Sequence, residues 1–206
     1  MKPEDRVKHI AKMQRFFAED AIGARECFRV MQRKTVINSF REGRGPVPML
    51  LRGALLERMV MAFARMLDPP KTDKDSLNHA FELLRDPSTR AAVAASGDER
   101  RLVAAMETWA RLSHRRKLLS RIKGLRDYWI AHTITSKWGS DKTELRDLLA
   151  VERAMRSVIE DLSAGCGLTT VSIDAVAKVK RDQAVDFWRR VVHGSAALQL
   201  DRKSEI

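Results

Sequence analysis

Three polar residues, Arg126, Asp127 and His132, lie close together in the stretch LRDYWIAHT at positions 125–133. An imidazole exchanges protons near neutral pH, and a guanidinium binds phosphate oxygens with paired hydrogen bonds. Together they could transfer protons and stabilise charge at a phosphodiester without a metal ion. A histidine in such a stretch is more often a satisfied core or interface residue, so the motif alone leaves both interpretations open.

Helical spacing relates these residues to a narrow apolar stripe. At about 100° per residue, Arg126 lies about 60° to one side of Trp129, the last residue of the stripe, and His132 lies about 60° to the other side. The two polar groups therefore flank a surface that can pack against another helix. The stripe consists of Leu118, Ile122, Leu125 and Trp129.

A basic run precedes the motif. Positions 111–126 carry seven Arg or Lys residues and no Asp or Glu, whereas the whole 206-residue chain has a formal charge of +12. Such a local field attracts polyanions, nucleic acid first and acidic lipid or protein second. A solvated helical face is the commoner explanation of a charge run. The residues expected to contact nucleic acid are Arg115, Arg116, Arg121 and Lys123.

Composition predicts an all-α protein. Helix-forming residues dominate, Gly and Pro are few, and the 44% hydrophobic content supports a buried core. The two cysteines, Cys27 and Cys166, form no CxxC pair, so a zinc site or a disulfide framework is not expected. The chain shows neither a secretory signal nor a long apolar run. We therefore predict a cytoplasmic protein with no membrane contact.

The elements that must position the motif are helices. We predict a first helix over 3–35 with Gly23 as a candidate kink, and an apolar central helix over 49–67. Two short helices are expected, one capped by Asp75 or Ser76 and one starting near Asp86. One long helix is expected over 99–133, with Gly124 as its weak point. Further helices are expected from Asp141 to near Ser163 and over 172–194. The last helix is expected to direct its apolar residues towards a core: Val176, Val179, Phe187, Trp188 and Val191.

No other part of the chain offers comparable chemistry. The carboxylate pairs Glu19–Asp20 and Glu160–Asp161 look like solvated pairs, and the Glu-x-x-His motif of a di-iron bundle is absent. His9, His79 and His114 have polar neighbours and are expected to be exposed. His193, which follows Arg189 and Arg190, is the second-best candidate, and a cation that complements the dipole at a helix C-terminus is its commoner role. Neither a metal ion nor a cofactor is therefore expected.

The order Arg, polar residue, four residues, His within a long helix resembles the HEPN superfamily, whose members carry Arg-x(4–6)-His. LRDYWIAHT looks especially like the abortive-infection U-type branch. The upstream order is also similar: an apolar helix ending FARMLDPPK, a short helix SLNHAFELLRD, and then the motif helix. The resemblance covers about residues 48–165. It implies a single antiparallel bundle over 1–206, with this core flanked by helices at about 3–35 and 172–194.

The resemblance implies a metal-independent endoribonuclease. HEPN nucleases are homodimers, so the helix from Leu118 to His132 would meet its copy. His132 would transfer protons, Arg126 would hold the scissile phosphate, and Asp127 would support them. Attack by the RNA 2′-OH would leave a 2′,3′-cyclic phosphate. Phage defence or a toxin–antitoxin system, with an antitoxin protein as a possible further partner, is the implied setting.

One position departs from a known HEPN pattern. Toxins silenced by nucleotidyltransferase antitoxins carry a tyrosine two residues after the histidine, where this chain has Ile134. Control by modification of that tyrosine is therefore disfavoured. Two alternatives to a nuclease stay open: a non-catalytic HEPN-like module that binds RNA or a nucleotide, and, less favoured, a helical DNA-binding regulator.

Overall fold

The computed structural model describes residues 1–41, 47–71, 73–132, 145–168 and 171–204. Within these ranges, the side chains at 35, 39–41, 47–49, 125, 127–132, 145–148 and 193–204 are outside the description. The described ranges contain nine helices and no strand, which confirms the all-α class. The helices are α1 (Pro3–Met31), α2 (Lys34–Arg41), α3 (Val47–Met66), α4 (Leu77–Leu83), α5 (Pro87–Ala94), α6 (Glu99–Ser113), α7 (Arg116–His132), α8 (Leu145–Gly165) and α9 (Ile173–Ser204).

The first helix lies at the centre of the bundle. α1 begins with Pro3 in its first turn, where a missing N–H costs nothing, and Glu4 and Asp5 complement the helix dipole. It packs against α3, α4, α5, α8 and α9. Small side chains on several of its faces let these neighbours approach closely. The buried apolar residues of α1 are Val7, Ile10, Ala11, Ala18, Ala21, Ile22, Ala24, Phe28, Val30 and Met31.

α1 ends earlier than the sequence predicts. The predicted helix over 3–35 stops at Met31, and α2 starts at Lys34 after a short turn in which Arg33 N–H bonds to the Val30 carbonyl. A second, smaller core lies beyond this turn, where Val36 of α2 meets Trp188 of α9. The Trp188 indole N–H donates to the Cys27 carbonyl at 3.1 Å, which ties α9 to α1.

α3 was predicted to be apolar almost all round and to lie in the centre of the bundle, and exposed residues near its start correct that prediction. Leu50 and Leu51 are exposed, whereas Met59, Val60 and Phe63 are buried. Leu55 and Leu56, between these two groups, are half-buried against the cores. α1 rather than α3 occupies the centre of the bundle.

The two short helices start where their capping residues predict. The Ser76 hydroxyl accepts the N–H of His79 at the start of α4, and the Asp86 carboxylate accepts the N–H of Thr89 at the start of α5. Each side chain satisfies one backbone donor that the helix itself cannot satisfy. Bonds from Ser88 and Thr89 lower the pKa of Asp86 to about 2.

The predicted long helix over 99–133 is wrong in one respect: it is two helices. α6 ends at Ser113 and α7 begins at Arg116, whereas Gly124 lies inside α7 without interrupting it. The Ser113 hydroxyl donates to the Ala110 carbonyl and Arg115 N–H bonds to the Leu112 carbonyl, so α6 closes with three-residue turns. No Gly or Pro marks this break in the sequence.

α6 and α8 run antiparallel in close contact. Asp98 N–H bonds to the Ala164 carbonyl, and Arg101 pairs with Asp161 at 2.8 Å three residues further along. A Cβ added at Gly97 would lie 2.2 Å from the Gly165 carbonyl oxygen. The contact therefore requires glycine at the start of this helix pair.

α9 begins where predicted, with the Ser172 hydroxyl accepting the N–H of Ala175, but it continues to Ser204, beyond the predicted end at 194. Its predicted core face is only partly correct. Trp188 is buried, and Val176 and Val191 are half-buried. Val179 and Phe187 are half-exposed, which contradicts the prediction for these two residues. None of the described helices is both long and apolar enough to cross a membrane.

Candidate functional site

The basic run of the sequence forms an exposed surface at the junction of α6 and α7. Its cations are exposed, and the sequence between 111 and 126 contains no Asp or Glu. We call this group the junction surface. Its exposed members are Arg111, Arg115, Arg116, Lys117, Arg121 and Lys123.

The apolar stripe of α7 points partly into the protein's own core. Ile122 is fully buried, and Leu118 is half-buried against the main core. This half of the stripe is therefore used within one chain. Leu125 and Trp129, the other two stripe residues, have side chains outside the described part.

Arg126 is held by a carboxylate from a distant part of the chain. Its NH1 donates to Asp68 Oδ1 at 2.7 Å, and both side chains are only about one-fifth exposed or less (20% and 16%). The pair joins α7 to the end of α3, 58 positions earlier in the sequence. Such a shielded, charge-assisted hydrogen bond fixes the position of the guanidinium.

Asp68 is itself held in place by α4 and the segment before it. Lys74 Nζ pairs with Asp68 Oδ2 at 2.9 Å. The Asn78 amide donates to the Leu67 and Asp68 carbonyls at 2.9 and 3.0 Å, which satisfies backbone acceptors at the end of α3. Lys74 and Asn78 therefore hold the segment around Asp68 in place, and Asp68 in turn holds Arg126.

Two of the three motif residues are described by backbone alone. Arg126, Asp127 and His132 all lie on the continuous helix α7, but the side chains of Asp127 and His132 are outside the described residues. The six-residue step from Arg126 to His132 corresponds to about 9 Å along the helix axis. Their catalytic roles, and the contribution of Asp127, remain predictions.

The exposure of the other histidines agrees only partly with the sequence prediction. His79 was expected to be exposed but is buried, and its Nδ1 lies 3.1 Å from the Lys74 carbonyl oxygen. His9 is exposed, as predicted, and its Nε2 lies 3.4 Å from Asp75 Oδ2. His114 is exposed, as predicted. The prediction for His79 was wrong because its polar neighbours in the sequence gave no indication that one side of the short helix α4 is buried.

Both carboxylate pairs that looked solvated take part in tertiary contacts. Both carboxylate oxygens of Asp20 accept hydrogen bonds from Arg58 of α3, and Glu160 accepts the N–H of Ile173 at 2.8 Å. Asp161 pairs with Arg101; burial raises its pKa more than that arginine lowers it. The described residues contain no group of His, Cys, Asp or Glu arranged to hold a metal ion.

Sequence reasoning missed a buried network of arginine and glutamate. Arg25, Glu26 and Glu152 are all buried, and Arg25 NH1 donates to Glu152 Oε1 at 2.6 Å. Arg25 also donates to Glu26, its neighbour in sequence. The only signal in the sequence was the interruption of the apolar pattern of α1 by two adjacent charges.

Comparisons with known proteins add no relative: no family model, curated protein or solved structure matches this chain.

Proposed function

We propose that this chain is a HEPN-type, metal-independent endoribonuclease that acts in phage defence or a toxin–antitoxin system. The observation that carries the proposal is the fixed position of Arg126 on α7, the helix that also carries Arg116, Lys117, Arg121 and Lys123 of the junction surface. A cationic surface that leads to an anchored guanidinium suits a polyanionic substrate with one phosphate to be held.

The proposed reaction uses the 2′-OH of the RNA as its nucleophile. His132 accepts the proton of the 2′-OH as its oxygen attacks the adjacent phosphorus, and Arg126 stabilises the charge that develops on the phosphate oxygens. The bond from phosphorus to the 5′-oxygen breaks, and that oxygen takes a proton. The products are a 2′,3′-cyclic phosphate and a 5′-OH. Asp68 acts as a positioning residue for Arg126.

The proposed active form is a homodimer in which the second half of α7 meets its copy. The first half of α7 packs into the chain's own core, where Ile122 is fully buried. A phosphate site made by two chains would take Arg126 from one and His132 from the other, which removes the need for one helix to bring both residues together. An antitoxin protein is a possible further partner, and the cytoplasm is the proposed location.

The proposal is tested with purified protein and a labelled RNA in the presence of EDTA. We expect cleavage products that end in a 2′,3′-cyclic phosphate, and no cleavage of the same sequence carrying 2′-deoxyribose throughout. Cleavage of the deoxy substrate, or products ending in a 3′-OH, would contradict attack by the 2′-OH.

A second candidate function is a non-catalytic HEPN-like module that binds RNA or a nucleotide. The ion pair between Arg126 and Asp68 favours it, because an arginine whose charge is balanced by a carboxylate of the same chain can have a purely structural role. This function predicts salt-sensitive RNA binding through Arg115, Arg116, Arg121 and Lys123 with no cleavage product at any protein concentration.

A further inference from the structure

The buried Arg25 network borders a basic cavity. This cavity lies between the C-terminal end of α1, α8 and α9, and has a volume of about 680 Å³. Its walls are unusually rich in positive charge. Six cations line it: Arg25, Arg29, Arg153, Arg156, Lys178 and Arg181.

Two buried carboxylates arrange the arginines. Glu26 Oε2 pairs with Arg181 at 3.0 Å, and Glu26 Oε1 lies 3.6 Å from Arg29 NH1. Glu152 Oε1 accepts from Arg25 at 2.6 Å and lies 3.6 Å from Arg156. Side chains that would otherwise be flexible are therefore held around one space, which lowers the entropy cost of binding a ligand there.

The carboxylates do not balance the cations. Glu26, Glu152 and the exposed Asp174 are the acidic groups paired with the six cations, so three positive charges remain uncompensated. Arg153 and Lys178 are exposed, and neither forms an ion pair with a carboxylate among the described residues. Like charges gathered at one concave surface repel each other unless an anion lies between them.

Arg25 adds a second, independent indication. Its side chain is only 8% exposed, yet its Nε has no hydrogen-bond partner among the described residues. A buried charged donor left unsatisfied is costly, and a bound anion is one group that would satisfy it. The first two turns of α9, which supply Asp174 and Lys178, add the positive end of a helix dipole.

We propose that this cavity binds a small anion that carries two or three linked phosphates. Arginine forks match phosphate oxygens in pairs, and several cations around one space suit adjacent phosphates better than a single one. The site is separate from the junction surface and shares no residue with it. Inorganic triphosphate and a nucleoside triphosphate offer the same chemistry and are distinguished by experiment.

The test is calorimetric titration of the full chain at about 150 mM salt, where surface attraction is screened. The probes are inorganic triphosphate, ATP, AMP and orthophosphate. We expect triphosphate and ATP to bind at least about tenfold more tightly than AMP and orthophosphate. Tighter binding of ATP than triphosphate would assign the ligand as a nucleotide, and equal affinities would assign it as the phosphate chain alone. Absence of triphosphate and ATP binding would overturn the proposal.

A matched pair of charge reversals locates the site. The double variant Arg153→Glu/Lys178→Glu is expected to weaken triphosphate binding by at least about tenfold, because two exposed cations of the cavity become anions. The control, Lys12→Glu/Arg90→Glu, has the same net charge and alters exposed residues that do not line the cavity. Equal affinities of the two variants, both folded by circular dichroism, would overturn the assignment to this cavity.

Discussion

Arg126 and Asp68 form a shielded ion pair at 2.7 Å that joins α7 to the end of α3. The same carboxylate receives Lys74 through its other oxygen. The arginine of the motif is therefore held by a residue far away in sequence. In the proposed nuclease this contact positions a phosphate-binding group, and it also contributes to the packing of two helices.

Substitution of Asp68 by Asn tests the contribution of this ion pair to the packing of α7 on α3. Asn keeps the shape but removes the charge, so we expect the free energy of unfolding to fall by about 1–2 kcal/mol. Urea denaturation measures the loss. Asp73→Asn, an exposed change in the same segment, is the control and should have little effect. Equal stability of the two variants would show that the ion pair does not hold α7 to α3.

The buried pair of Arg25 and Glu152 should show strong coupling. Glu152→Leu alone leaves Arg25 with fewer partners in a buried position, so we expect a loss of about 3 kcal/mol in unfolding free energy. Combined with Arg25→Met, the loss should be smaller than the sum of the single losses by more than about 1 kcal/mol. Urea denaturation of both single variants and the double variant completes the cycle. Additive losses would contradict a coupled pair.

Stability should depend on pH through Glu26. Burial raises the pKa of this carboxyl, but bonds from Arg181 and Arg25 more than offset burial and hold the pKa below its ordinary value of 4.5. The charged form therefore stabilises the fold in full above pH 4.5, and this contribution is lost as the pH falls through the lower folded-state pKa. Melting curves of the native chain and Glu26→Gln should converge in acid. A constant difference between them across this range would contradict the assignment.

Two glycines should respond in opposite ways to alanine. Gly97→Ala places a Cβ 2.2 Å from the Gly165 carbonyl oxygen, so α6 must move from α8 and we expect a loss of more than about 2 kcal/mol. Gly53, within α3, has nothing within 4 Å of an added Cβ. Gly53→Ala should raise stability by about 0.5–1 kcal/mol through helix propensity. Thermal denaturation compares the two, and equal effects would contradict the close contact.

The sequence was most informative where one residue acts locally. Ser76 and Asp86 predict the starts of α4 and α5 because a capping side chain bonds to a backbone N–H three residues away. The break at Ser113 escaped prediction because it depends on turn hydrogen bonds rather than on Gly or Pro. Gly124, the residue expected to weaken the helix, lies within α7.

Tertiary pairing set the limit of prediction at the candidate sites. Arg126 was recognisable from its spacing to His132, but its partner Asp68 was not, since nothing local connects residues 58 positions apart. Arg25 and Glu152 are separated by 127 positions and meet only because α1 is the central helix. A periodic pattern identifies buried faces and does not say which faces meet.

The central claim is tested most directly by His132→Ala in the RNA cleavage assay with EDTA. The control is His114→Ala, which removes an exposed histidine at the junction of α6 and α7. We predict that His132→Ala abolishes the 2′,3′-cyclic phosphate product at unchanged RNA affinity, and that His114→Ala cleaves as the native chain does. Native cleavage rates in purified, folded His132→Ala would contradict the proposed ribonuclease site.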